Sequence, residues 1–181
     1  MKQTILLAAL LVSFCAYSQQ ATTVSLDRQL ETVQFNLNEV KLNLATTIFG
    51  SYPEITYERI LDSDMSVGAS VGVGLNDDYI LDFALIPYFR WFFGGSHASM
   101  QKYGAGLYLE ANGALFSGDE DSSYGYPESS GSQTGAGLGI AVGWKYLTKN
   151  NWVGDFYMGA GRDFANDGAY PRVGISIGKR F

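Results

Sequence analysis

Residues 65–75 read MSVGASVGVGL, and residues 134–147 read TGAGLGIAVGWKYL. In the first stretch Val67, Ala69, Val71, Val73 and Leu75 share one parity, and Ser66, Gly68, Ser70, Gly72 and Gly74 the other. The second stretch separates Ala136, Leu138, Ile140, Val142 and Trp144 from Gly135, Gly137, Gly139, Ala141 and Gly143. A repeat of two is the repeat of a β-strand, whose side chains point alternately to opposite faces. A tilted strand of about 9–11 residues is long enough to cross the hydrocarbon core of a bilayer.

The same alternation recurs through the rest of the chain. Strands are predicted over residues 40–48, 52–61, 65–75, 80–92, 102–116, 134–147, 152–164 and 170–181. The fold class they imply is all-β, an eight-stranded antiparallel up-and-down transmembrane β-barrel over residues 40–181. Composition agrees. The 181 residues include 22 Gly, 12 Tyr and 11 Phe against one His, one Cys and four Pro. After the N-terminus no apolar run approaches the roughly 20 residues of a membrane helix. A net charge of −6 argues against nucleic acid held by a basic surface.

Residues 1–18 read as a cleaved signal peptide. Lys2 is the positive end, residues 5–12 the short apolar core, and Ala16-Tyr17-Ser18 the small-x-small cleavage site. Cys15 follows Phe14, where a lipid-attachment motif needs a small residue, and cleavage after Ser18 removes it. Residues 19–39 form a polar periplasmic leader.

The non-bulky face carries charge as well as glycine. By parity it collects Lys41, Glu54, Glu58, Asp82, Arg90, Glu110, Lys145, Asp155, Arg172 and Arg180. Eight strands leave an interior that side chains fill, so these ions must share it with small residues and pair with one another. With both termini periplasmic, all three tryptophans (Trp91, Trp144 and Trp152) fall at the periplasmic strand ends with outward parity. Tyr103 and Tyr146 join them in an aromatic girdle suited to a membrane interface. Phe49, Tyr52, Tyr79, Phe116, Phe164 and Tyr170 gather at the opposite ends.

The final strand places Val173, Ile175 and Ile177 outward and ends on Phe181. It looks like the signal by which the outer-membrane assembly machinery recognises its clients, with Lys179 where such signals often carry an apolar residue. Residues 40–181 resemble the small OmpA/OmpX-type barrels. The segments 52–61 and 170–181 also resemble a group of short Bacteroidota barrel proteins without assigned function.

Motifs with possible chemistry read more simply as structure. His97 and Ser99 form a His-x-Ser pair, as outer-membrane lipid A deacylases use, but lie in a predicted periplasmic turn. The acyl chains of such a substrate are on the opposite side. Asp119-Glu120-Asp121 fails as a calcium loop, because Tyr124 occupies the glycine position and Ser130 that of the bidentate glutamate. Residues 135–139, GAGLG, miss the dinucleotide fingerprint. The expectation is an outer-membrane protein with a structural or interaction role, a lumen plugged by paired charges, and no catalytic residues, metal or cofactor. The expected partners are outer-membrane lipids and lipopolysaccharide, the barrel-assembly machinery and an outer-membrane protein. The alternatives are a narrow channel and, after it, a lipid-modifying enzyme.

Overall fold

The computed structural model describes residues 36–75, 82–94, 99–119, 132–165 and 168–181. The predicted signal peptide, most of the leader, His97 and most of the acidic 119–131 loop lie outside them. Eight strands form a closed antiparallel barrel. They are β1 (Asn38–Asn43), β2 (Glu54–Asp62), β3 (Met65–Val73), β4 (Phe83–Phe93), β5 (Gly106–Asp119), β6 (Ser132–Leu147), β7 (Trp152–Asp163) and β8 (Ala169–Arg180). Each pairs with its sequence neighbour, and β1 closes the circle on β8 from Glu39↔Arg180 to Asn43↔Ser176. Asn38 and Phe181 exchange backbone hydrogen bonds of 3.1 and 2.8 Å across that closure.

The largest departure from expectation is in the first strand. The alternation predicted a strand to residue 48, but β1 stops at Asn43 and helix α1 (Leu44–Gly50) follows. Asn43 is the cause at the level of local chemistry. Its side-chain oxygen accepts from the backbone N–H of Ala45 at 3.2 Å and of Thr46 at 3.5 Å, an N-cap that satisfies donors the helix leaves free. Ser51, in the left-handed region at φ 49°, ends the helix. Strand β1 also begins earlier than predicted, so Asn38 and Glu39 belong to the barrel and not to the leader.

Inside and outside are sorted by the period of two, with polarity inverted relative to a water-soluble barrel. Val67, Leu109, Ile140, Val142, Phe156 and Ile175 are exposed, as are most other large apolar side chains of the strands. Lys41, Glu58, Arg90, Glu110, Lys145, Asp155, Arg172 and Arg180 are buried.

The lumen glycines have a specific geometric task. Gly68 lies directly across from Tyr88, Gly143 from Tyr108, Gly174 from Tyr157, Gly161 from Tyr170, and Gly135 from Phe116. In each pair the ring lies over the glycine. A Cβ at Gly68 would come within 2.5 Å of the Tyr88 ring, and one at Gly143 within 2.5 Å of the Tyr108 ring. Glycine on one strand thus makes room for an aromatic ring from the next, a cross-strand pairing that also fixes register.

The barrel end where β1 begins and β8 finishes, its terminal end, is closed by the segment before β5. Gly104, at φ +58°, lies against Ile60, and its N–H donates to the Ser63 carbonyl at 2.8 Å. Ala105 joins a buried cluster with Leu147 and Val153. Contacts to β2, β6, β7 and the β2–β3 turn therefore span this end of the lumen.

The glycine–ring complementarity is open to test at Phe116 and Gly135, a pair without polar duties. Gly135→Val alone is expected to destabilise the barrel by about 1–3 kcal/mol through overpacking. Adding Phe116→Ala should recover most of that loss in equilibrium urea unfolding. A double variant no more stable than Gly135→Val would show that the ring does not use this space.

Candidate functional site

The lumen holds a continuous ion network. Its cations are Lys41, Arg90, Lys145, Arg172 and Arg180, and its carboxylates Glu39, Glu54, Glu58, Glu110 and Asp155. The network balances its own charge, five against five.

Arg90 on β4 is the centre, with its side chain 0 % exposed. Its Nη1 donates to Asp155 at 2.7 Å and to Glu58 at 3.0 Å, and its Nε to Glu110 at 2.8 Å. The guanidinium is sandwiched between the Tyr88 and Tyr108 rings, whose centroids lie 4.4 and 4.3 Å away. Nη2 has no hydrogen-bond partner, and these ring faces supply the attraction instead. The same rings satisfy the anions through their hydroxyls. Tyr108 donates to Asp155 at 2.7 Å and Tyr88 to Glu58 at 3.0 Å.

Glu58 on β2 is the hub on the anionic side. One oxygen accepts from Lys145 and Ser66, the other from Lys41, Arg90 and Tyr88. From there the network runs both ways along the barrel. Toward the terminal end, Lys145 reaches Glu39 at 2.9 Å, and Glu39 accepts from Arg180 Nε at 2.7 Å. Arg180 also donates to the carbonyls of Tyr103 and Gly104, locking the segment that closes this end. Toward the far end, Arg172 bridges Glu110 at 3.1 Å and Glu54 at 2.8 Å.

Of the charges that parity assigned inward, all but Asp82 are in this network. Asp82 is exposed ahead of β4, its backbone paired with Gly74 and Ser117. The alternation predicts a strand from residue 80, three residues before β4 begins, and Asp82 falls in that excess. Glu39 was missed because it was placed in the leader, although it stands two residues before Lys41 and shares its parity. The network tyrosines were missed because only charges were collected. Tyr88, Tyr108 and Tyr157 have the same parity as Arg90, Glu110 and Asp155 on their strands.

The predicted girdle residues Trp91, Trp144, Tyr146 and Trp152 are all at least half exposed on the outer wall, at the terminal end. Tyr103 departs from that expectation. It precedes β5, is half-buried, and offers its carbonyl to Arg180. On β8, Val173, Ile175 and Ile177 face outward, and Phe181 follows them exposed. Ser99 lies before a short 3-10 turn (Met100–Lys102).

At the far end the lumen is not filled. A cavity of about 140 Å³ remains there, lined by Tyr52, Ala84, Ala114, Phe116 and Tyr170 above the Glu54–Arg172 pair.

Removing one carboxylate from the hub should be severe. Glu58→Gln leaves Lys41, Lys145 and Arg90 under-compensated in a dry interior and is expected to cost about 3–5 kcal/mol in urea unfolding. Lys149→Ala, in an exposed turn, should stay within about 0.5 kcal/mol. Equal effects at the two positions would refute a cooperative network. No protein-family model, curated protein or solved structure matches this chain, so the reading of the site stands on its geometry.

Proposed function

We propose that this chain is an outer-membrane β-barrel with a closed lumen, working as a structural or interaction protein through its surfaces. One observation carries the reading: the barrel is inside out for water. Its wall exposes Leu109, Ile140, Val142, Phe156, Val173 and Ile175, while its interior buries a network of five cations and five carboxylates. Contiguous apolar surface around a whole barrel is far larger than a soluble monomer tolerates, and a bilayer is the solvent that accepts it.

The exposed tryptophans at one end support the orientation in which that end meets the periplasmic interface. Lumen packing favours a plug over a pore. Arg90, Lys41 and Lys145 have no exposed side-chain surface to speak of, and the terminal end is crossed by the segment carrying Gly104 and Ala105. A conducting path would need ions that can exchange partners with water. The working surfaces are then the lipid-facing wall, the outer loops and the leader. The partners proposed are lipids and lipopolysaccharide, the assembly machinery during biogenesis, and an outer-membrane protein.

Two measurements test this. The protein should fractionate with outer membranes and show a heat-modifiable shift in gel mobility; recovery as soluble periplasmic protein would overturn the membrane assignment. In planar bilayers the purified barrel should give no steady single-channel steps. Steps that vanish on neutralising Arg90 or Glu110 would replace the plug by a narrow channel.

A further inference from the structure

The wall of the barrel is incomplete on one side. Strand β1 has 6 residues and β8 has 12, and their pairing stops at Asn43↔Ser176. Among the described residues, no strand lies beside β8 from Ala169 to Ile175 on that edge. Helix α1 packs there instead. The edge is adapted to this. The Asn43 side chain accepts from the Ile175 N–H at 3.2 Å and donates to the Val173 carbonyl at 3.5 Å, standing in for the missing backbone. Two residues further along the same edge is Pro171, which has no N–H to leave unpaired.

The far-end cavity reaches this gap. Besides its inner lining it touches Thr46 on α1 and Pro171 and Val173 on β8. On the outer side, the gap is bordered by exposed Val173 and Ile175 on β8, Ile55 on β2, and Ile48 and Phe49 on α1, the last 87 % exposed. A route therefore runs from an apolar wall, between α1 and β8, into an interior space lined by alanine and aromatic rings.

Resting on the reading that this wall faces lipid, we infer that the gap is a lateral entrance through which the end of a lipid acyl chain occupies the far-end cavity. Two observations select that occupant. A volume of about 140 Å³ is below the ~300–1,000 Å³ of a pocket that swallows a small molecule whole, so it fits the end of something longer. Arg172 offers no free charge to a head group, since its donors go to Glu54, Glu110 and Ser70. The rest of the ligand must then remain where the entrance opens, beside apolar side chains.

The test uses the full chain in vesicles of phosphatidylcholine carrying a diazirine near the end of one acyl chain, with adducts mapped by mass spectrometry after illumination. Adducts are expected on inward-facing Ala84, Ala114 or Tyr170 as well as on outward-facing Leu138 and Ile140. Ala114→Phe, which fills the cavity, should reduce the inward adducts about tenfold while the outward ones persist. Wild-type adducts confined to outward residues would overturn the inference and leave the bilayer reading intact, whether or not the variant folds. No adducts on the outward residues either would overturn both.

Discussion

A barrel of eight strands has an interior too narrow for bulk water and too wide to leave empty, so whatever fills it must satisfy itself. Here that constraint is met by a network of ions in equal number and opposite sign, held 2.5–3.1 Å apart at their principal contacts. The pairs join strands far apart in sequence: Lys41 on β1 with Asp155 on β7, Arg90 on β4 with both β5 and β7, and Arg172 on β8 with β2 and β5. Buried ion pairs are often no more stabilising than apolar side chains of the same size. Their effect here is on uniqueness. A one-residue slip in any strand that carries these ions would turn them onto the apolar wall and leave their partners buried alone.

The aromatic rings solve the remaining half of the problem, which is space. Tyrosine serves both requirements at once, because its ring covers a glycine on the next strand while its hydroxyl reaches an acid. Tyr108 lies over Gly143 and donates to Asp155; Tyr157 lies over Gly174 and donates to Glu54 at 3.2 Å. Arg90 then fits between two such rings. Charge balance and volume are met by the same side chains, so the two cannot be varied separately.

The packing is uneven along the axis. It is tight from the terminal end to Arg172 and looser beyond. That change coincides with the height at which β1 gives way to α1. The far end therefore combines a shortened strand, an apolar gap and a cavity, whereas the terminal end combines full pairing, a covering segment and the exposed tryptophans. In the proposed membrane setting these two ends meet different environments.

Much of this was legible from alternation alone. The period of two separated bulky apolar from small and charged residues on every strand, and that separation survives folding because a closed sheet has only two faces. Eight strands, their order, and the inward position of Arg90, Glu58 and Asp155 follow from it. Alternation could not say where a strand stops. Residues 44–48 keep the strand pattern, yet Asn43 caps a helix, and the same side chain also bonds Ile175 and Glu54 from distant parts of the chain. Nor could a one-dimensional pattern reveal that Asp82 lies outside the network, or that the rings of Tyr88, Tyr108, Tyr157, Tyr170 and Phe116 each lie over a glycine of a neighbouring strand. Those depend on which residues of neighbouring strands come level, and register is a property of the closed barrel, set when all eight strands meet.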